Sequence, residues 1–422
     1  MSGGAPAEQL EQVRLRTQGI LPIQKLRLLA QAGVIRSEPE FPIQDDQFQP
    51  NSIDLRLGTE AIRVRCSFLP ENETVREKID KLRQYAFSIR DGAILEPNCV
   101  YLIPLLESLS LPDPAERTSW SPVAVSGSGA SGPATHPAAR LEISATDPLS
   151  AKANPKSSTG RLDIFTRVVT DRSHRFEEID PGYKGPLYLE VVPKSFPVLV
   201  RTGQRLNQLR IRHGHSTIPD QELLRIHERD PLLLDDDGRP LHLDSLKVRQ
   251  GLFLSVDLQG SDGRVIGYKA RKHRDVLDLD RVGHYHVADY WEPIHSRPGD
   301  RLILEPEAFY IFASKERCRI PVQYAAEMIA YDTGSGELRT HYAGFFDSGF
   351  GGSLQEKGAR AVLEVRSHDV PFLIEDGQTF CSMRFEPNTE VPETLYGSGL
   401  RSHYQGQGLK LGKHFKQPGT GE

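Results

Sequence analysis

The sequence predicts an all-β protein built from two consecutive copies of one domain. At 422 residues the chain is longer than one ordinary hydrophobic core requires. Short apolar segments recur in its second half: residues 94–97 (ILEP) return 209 residues later as 303–306, and residues 189–191 (LEV) return 174 residues later as 363–365. We therefore expect a first domain at 1–211, a charged connector at 212–247 and a second domain at 248–422.

The first elements follow from hydrophobic periodicity. Residues 1–19 are expected to be a flexible lead-in. Between residues 20 and 35, apolar side chains recur at helical spacing and Gly33 offers a stop, which predicts one short amphipathic helix. Residues 52–57 alternate strictly and predict a strand with Ile53, Leu55 and Leu57 on one face. Apolar runs broken by Pro and Gly indicate further β structure from 86 to 112.

Two segments interrupt the β pattern. Residues 113–150 are dominated by Ser, Gly, Pro and Ala, which predicts a disordered insertion about as long as the 35-residue difference between the two repeat offsets. A GSGASG run at 127–132 matches the dinucleotide fingerprint, but no strand precedes it and no helix follows. In the connector we expect a short helix and a loop, with the acidic run at 235–237 as a solvated turn.

Bulk composition excludes several classes of function. A net charge of −5 argues against a surface for nucleic acid polymers, so any phosphate site must be local. No apolar run approaches membrane-spanning length, and the N-terminus lacks a signal pattern. Four cysteines without paired spacing are typical of a reducing compartment, so we expect a cytoplasmic protein. From the short apolar runs we expect no membrane partner.

Candidate chemistry concentrates in three adjacent motifs: residues 155–161 (PKSSTGR), 179–185 (IDPGYKG) and 187–191 (LYLEV). A lysine and paired hydroxyls suit phosphate oxygens. Glu190 lies on an otherwise apolar strand, where a carboxylate is costly to bury unless it has a partner or a function. The alternative is a strand residue that faces water and pairs with Arg161 or Lys194.

These motifs, in this order, resemble the nucleotide site of dCTP deaminases, which share the trimeric dUTPase-like fold (a β-clip, or distorted jelly roll). Residues 49–58 (QPNSIDLRLG) resemble an early strand of that family, and residues 402–408 (SHYQGQG) resemble its C-terminal substrate cap. The resemblance implies hydrolysis of dCTP to dUTP and ammonia in a homotrimer, with the tail at 401–416 closing the site.

The family's functional residues carry over by motif. The resemblance implies that Glu190 is the general base, that Ser157 holds the water and the developing oxyanion, and that Arg161 supplies fixed positive charge. Magnesium is expected to accompany the triphosphate, without a metal site on the protein. The substrate-binding set is expected to be Lys156, Ser157, Ser158, Thr159, Gly160, Arg161, Asp180, Tyr188, Leu189, Glu190, Tyr404 and Gln407.

The second copy departs from the pattern where chemistry is expected. Its counterpart of the Ser-Ser motif falls at 333–339 (TGSGELR), and residues 346–350 (FDSGF) only partly repeat the Asp-Pro-Gly turn. We therefore expect a mainly structural second copy, with Glu364 a vestige. In the first copy, Glu177 and Glu178 stand where the family often has a cation, and Arg172 or Arg175 is expected to replace it.

A zinc mechanism is disfavoured because the chain has no Cys-x-x-Cys pair. His284 and His286 would share one face of a strand, but no third ligand with suitable spacing is evident. Three alternatives stay open: a dUTP pyrophosphatase, an enzyme that catalyses both reactions, and a catalytically silent nucleotide-binding regulator.

Overall fold

The computed structural model describes residues 12–14, 18–114, 119–120, 140–142, 147–259, 265–296, 301–330, 338–340, 344–353, 355–367, 369–398, 404 and 406–416. The fingerprint-like run at 127–132 and most of the insertion predicted at 113–150 lie outside these residues, as does most of the lead-in at 1–19.

Strands account for most of the regular structure. Those of the N-terminal half are β1 (Gln12–Arg14), β2 (Gly19–Ile20), β3 (Ile35–Ser37), β4 (Phe48–Gln49), β5 (Ser52–Arg56), β6 (Glu60–Val64), β7 (Arg83–Ser88), β8 (Ala93–Leu95), β9 (Tyr101–Ser110), β10 (Ser119–Trp120), β11 (Arg140–Glu142), β12 (Leu149–Pro155), β13 (Ile164–Val169), β14 (Glu178–Ile179), β15 (Lys184–Pro193), β16 (Val198–Val200) and β17 (Arg205–His213).

The strands of the C-terminal half are β18 (Leu233–Leu234), β19 (Leu252–Ser255), β20 (Val265–Ala270), β21 (Leu277–Asp278), β22 (Trp291–His295), β23 (Arg301–Leu304), β24 (Phe309–Cys318), β25 (Tyr324–Ala330), β26 (Leu338–Thr340), β27 (Gly344–Phe346), β28 (Ala359–Ser367), β29 (Phe372–Glu375) and β30 (Thr379–Pro387). The strand predicted at 52–57 and the β structure predicted at 86–112 are confirmed by β5 and by β7 to β9.

Helices are short and lie between strands. They are α1 (Ile23–Gln31), α2 (Val75–Leu82), α3 (Ser157–Gly160), α4 (Asp220–Arg229) and α5 (Val287–Tyr290), with 3-10 turns at Asp45–Gln47 and Leu243–Ser245. Helix α1 confirms the amphipathic helix, because Ile23, Leu26 and Leu29 are buried and Gly33 adopts φ +72° directly after the C-cap.

Sheet order repeats between the two halves. In the first half one sheet runs β14-β12-β17-β5-β4 and a second runs β13-β15-β9-β6-β7. In the second half the corresponding sheets run β27-β25-β30-β19 and β26-β28-β24-β20-β22. The two-strand pairs β8·β16 and β23·β29 also correspond, with Ile94 opposite Leu199 and Ile303 opposite Leu373. The predicted duplication of one all-β unit is therefore confirmed, with β4 as the one strand in these strand orders that has no counterpart in the described second half.

The two copies share part of their hydrophobic core. The larger cluster joins residues of the first copy, such as Phe196, to Trp291, Val362 and Phe415 of the second half. A second cluster lies within the second half and includes Leu223 and Ile226 of α4. Helix α4 agrees with the helix expected in the connector, and it packs on the second copy. The domain boundaries at 211, 212–247 and 248 stay predictions.

Ion pairs with buried carboxylates also join the copies. Lys152 Nζ lies 2.7 Å from Glu327 Oε1, and Arg212 Nη2 lies 2.7 Å from Glu386 Oε1. By strand register, Lys152 corresponds to Glu327 and Arg212 to Glu386. Equivalent positions of the two copies thus meet with opposite charges, whereas two identical copies would bring like charges together.

None of the helices in the described ranges is long and apolar enough to cross a membrane.

Candidate active site between the two copies

The Ser-Ser motif forms a tight turn at the end of β12. Helix α3 begins after Lys156, whose backbone carbonyl accepts hydrogen bonds from the N–H groups of Thr159 and Gly160. The Thr159 hydroxyl donates to Leu206 O at 2.8 Å, which fixes the turn to β17. Ser157 is exposed to the adjoining cavity. The turn therefore presents both serine side chains and Arg161 on one side.

These side chains line a cavity of about 540 Å³ between the copies, within the range typical of small-molecule sites. Its wall from the first copy is polar and charged, and its wall from the second copy is largely apolar and aromatic. The lining residues include Asp46, Asp54, Lys156, Ser157, Ser158, Arg161, Arg205, Gln208, Met328, Phe345, Phe346, Asp347, Phe350, Val362, Glu364, Tyr396, Tyr404, Gln407 and Lys413.

Glu364 supplies a buried carboxylate from β28 of the second copy. Only 5% of the residue is exposed, and no hydrogen bond to its carboxylate is present among the described residues. Burial raises the pKa of the Glu364 carboxyl to about 8; Arg161 opposes this increase and Asp163 adds to it. The first copy's turn approaches closely, since a Cβ on Gly160 would lie 2.6 Å from Glu364 Oε2. A larger residue at 160 would therefore have to displace the Glu364 carboxylate.

Arg161 is held in place by the C-terminal tail. Its Nη2 donates to Gln407 Oε1 at 2.9 Å, and its Nη1 donates to Lys410 O at 2.9 Å. The guanidinium carbon lies 3.9 Å from the centre of the Tyr404 ring. Gln407 in turn donates to Arg360 O at 3.1 Å on β28. The tail thus contacts Arg161 of its own chain through Tyr404 and Gln407.

The turn at 346–350 brings a second acid to the cavity. Asp347 is buried and accepts a hydrogen bond from Arg210 Nη2 at 3.0 Å. Burial raises the pKa of the Asp347 carboxyl, and Arg210 opposes the shift. Asn51 of the first copy accepts hydrogen bonds from the N–H and hydroxyl of Ser348. The early-strand motif therefore positions the second copy's turn.

Cations gather at the other end of the cavity. Lys156 pairs with the buried Asp54, and Arg205 Nη2 lies 2.7 Å from Asp46 Oδ1. Lys413 has no ion-pair partner within the described ranges. Its pKa is lowered, mainly by burial and to a smaller extent by the positive charges of Lys156 and Arg205. A neighbouring cavity of about 560 Å³ shares this cationic wall and is also lined by Thr159. An anion bound here would relieve the repulsion among these cations.

The structure does not bring Glu190 to this cavity. Its Oε1 accepts from Arg167 Nη2 at 2.5 Å, and Arg167 lies over the Phe176 ring at 3.6 Å. Glu190 is 1% exposed and is enclosed by its own copy, so neither a water-facing position nor pairing with Arg161 or Lys194 is found.

The other predicted residues of this part of the first copy also lie elsewhere. Tyr188 belongs to a small cluster beside α2, Leu189 to the main core, and Asp180 to a turn at a third cavity. Arg172 and Arg175 do not line the main cavity, and Arg175 pairs with Glu178.

The second copy supplies the equivalent positions. Val362 and Glu364 occupy the strand positions of Tyr188 and Glu190, and Asp347 occupies the turn position of Asp180, with positive φ at Gly182 and Gly349. In the sequence, the repeated LEV segment and the FDSGF segment indicate these equivalent positions. The expectation that Glu364 is a vestige does not fit this position, because the cavity that holds the Ser-Ser motif is lined by both copies and includes Glu364 instead of Glu190.

The two histidines considered as metal ligands do not line the main cavity. His284 and His286 precede α5 in a loop, and they contact Arg281 and Lys416. The strand expected there is therefore wrong. No group of three or more His, Cys, Asp or Glu side chains with metal-binding geometry occurs within the described part of the chain.

Comparisons with known proteins cover nearly the whole chain. The family model described as 2'-deoxycytidine 5'-triphosphate deaminase (DCD) N-terminal domain matches residues 17–124 and 139–215. The model described as the C-terminal domain of the same family matches residues 219–415. The N-terminal match omits 125–138, inside the predicted insertion.

Individual relatives agree with the family models. The crystal structure of 2'-deoxycytidine 5'-triphosphate deaminase from Agrobacterium tumefaciens has a TM-score of 0.77 and 42% identity, over 91% of this chain and 100% of that chain. The dCTP deaminase of Sulfurisphaera tokodaii is 25% identical over 194 residues, which are 45% of this chain and 77% of that protein. The chain therefore belongs to the dCTP deaminase family.

Proposed function

We propose that the cavity between the copies hydrolyses dCTP to dUTP and ammonia, with Glu364 as the general base. The observation that carries this proposal is the position of Glu364: a buried carboxylate without a hydrogen bond among the described residues, directly opposite the Ser157–Arg161 turn. A carboxyl with a pKa of about 8 can both accept and return a proton near neutral pH.

The reaction requires two proton transfers by one group. Glu364 takes a proton from water as the oxygen bonds to C4 of the cytosine ring. The same carboxyl gives that proton to N3, where it stays in the uracil product. It then takes a second proton from the new C4 hydroxyl and gives it to the departing amine, so that ammonia leaves as the C4 carbonyl forms. Arg161 provides fixed positive charge beside the developing charge, and Ser157 holds the water. The tail excludes bulk water through Tyr404 and Gln407.

The cationic end suits the triphosphate. Lys156, Arg205 and Lys413 lie together there, and the serine hydroxyls can donate to phosphate oxygens. The aromatic wall of the second copy suits the base. Magnesium would enter with the triphosphate as part of the substrate.

Product analysis tests this function. Purified protein with dCTP and magnesium should release ammonia and dUTP in equal amounts. Pyrophosphate release from dCTP or dUTP would instead favour the pyrophosphatase or the enzyme with both activities. Tight dCTP binding without either product would favour the silent regulator.

Assembly and location belong to the same proposal. The homotrimer that the resemblance implies stays a prediction. A reducing, cytoplasmic setting is supported by the free thiols of Cys66, Cys99, Cys318 and Cys381.

A further inference from the structure

Asp163 has an unusual backbone conformation directly after the catalytic turn. Its φ is +57°, in the left-handed region that glycine adopts most easily, although aspartate tolerates it better than most residues. The Asp163 N–H donates to Gly160 O at 2.9 Å, and its carbonyl accepts from Lys194 N at 2.9 Å. The residue is fully buried, so its carboxylate needs compensation.

That compensation comes from the other copy. Arg366 Nη2 pairs with Asp163 Oδ2, which also accepts a hydrogen bond from Ser195 Oγ at 2.5 Å. Arg366 follows Glu364 by two positions on β28, so the two side chains leave the strand on the same side. Arg366 also donates to Glu307 O, which anchors it within the second copy.

We propose that the Asp163–Arg366 ion pair is a positioning clasp, which holds the Gly160–Arg161 turn against Glu364 and offsets the negative charge of Asp163 beside it. Neither residue lines the cavity, and the inference rests on the proposed deamination at this site. The clasp explains why an aspartate occupies position 163 despite its left-handed backbone. Its carboxylate attaches the first copy to β28, the strand that carries Glu364.

The charges around Glu364 determine what the clasp does. Arg161 approaches from α3, Asp163 from the following turn, Tyr404 from the tail, and Arg366 from the same strand. Asp347 and Tyr396 line the same cavity. Asp163 alone would favour the protonated form of Glu364, which cannot act as a base, and Arg366 opposes that effect.

Paired substitutions with opposite expected shifts test the clasp. Asp163→Asn keeps the shape, tolerates the left-handed backbone and removes the like charge. The midpoint of kcat/KM against pH should therefore move down by about one unit, while Arg366→Gln should move it up by a similar amount. Arg319→Gln is the matched control, since Arg319 is equally buried and pairs with Asp230 outside the cavity. It should lower Tm and leave the midpoint in place.

A second readout does not depend on turnover. Because the pKa of Glu364 is raised by folding, wild-type protein should lose stability relative to Glu364→Gln as pH rises from about 4.5 to about 8. The pH range over which this stability is lost should become narrower in Asp163→Asn and wider in Arg366→Gln. If Asp163→Asn changes neither the midpoint of kcat/KM against pH nor the pH range of the stability loss, the proposed clasp is wrong, even if the variant has a lower Tm. If the wild-type enzyme releases no ammonia, the proposed function is wrong. The pH dependence of stability then tests the clasp by itself.

Discussion

At the scale of residues, two equivalent glutamates have different surroundings. Glu190 and Glu364 occupy the same position in the repeated strand, and both are buried. Arg167 neutralises Glu190 within the first copy, whereas Glu364 faces the cavity and the turn of the other copy. A paired carboxylate is a poor base because its charge already has a partner, so the geometry favours Glu364.

Substitution of each glutamate separates the two roles. Glu364→Gln should lower kcat by roughly 10²- to 10⁴-fold, the usual effect of losing a general base, and leave dCTP binding within a few-fold. Glu190→Gln should keep kcat near the wild-type value and lower stability by about 1–3 kcal/mol, because Arg167 loses its charged partner. Steady-state ammonia release and thermal melts measure both effects.

The sequence motifs by themselves predict the reverse result, with Glu190→Gln inactive and Glu364→Gln active. That outcome would place catalysis on the first copy's strand and contradict the composite site.

At the scale of elements, the tail is a packed part of the fold. Leu411 and Phe415 belong to the main core, and the Phe415 ring centre lies 5.9 Å from that of Trp291. Backbone bonds from Gly283 N to Lys413 O and from Lys416 N to Tyr285 O extend the attachment. A Gly- and Gln-rich terminus is expected to be loose, but its final aromatic residue supplies the buried area that anchors it.

Two tail substitutions should therefore have different effects. Phe415→Ala should lower the free energy of unfolding by about 3–5 kcal/mol, as large core truncations do. Gln407→Ala removes the hydrogen bond to Arg161, so it should raise KM and lower kcat with a smaller change in stability. Denaturant melts and steady-state kinetics on both variants distinguish anchoring from capping. Unchanged kinetics in Gln407→Ala would show that the tail is only structural.

At the scale of the whole molecule, the proposed site takes residues from both copies of the repeated domain. The first copy supplies the turn and the second supplies the acids, across a shared core with oppositely charged equivalent positions. The equivalent carboxylate of the first copy, Glu190, is instead paired with Arg167.

Co-expression of inactive chains tests this arrangement. Chains carrying Arg161→Ala and chains carrying Glu364→Gln should show no more activity together than each alone, because every site takes both residues from one polypeptide. Wild-type chains mixed with Glu364→Gln chains should keep activity in proportion to the wild-type share. Recovery of activity in the first mixture would mean that copies pair between chains. Titration of Glu364→Gln with dCTP should also give one bound nucleotide per chain.

The sequence by itself determined the all-β class, helix α1, the duplication with both offsets, and the family, because periodicity and short motifs are local properties of the chain. It also identified Lys156, Ser157, Ser158, Arg161, Tyr404 and Gln407, which meet in one cavity. Only the tertiary structure decided which glutamate they meet. Spacing along the chain places Glu190 near Arg161, but β-sheet pairing turns Glu190 toward Arg167 and packs the second copy's Glu364 against Gly160. The pairing of two similar copies depends on a shared core and on charges far apart in sequence, so it appears only once the chain is folded.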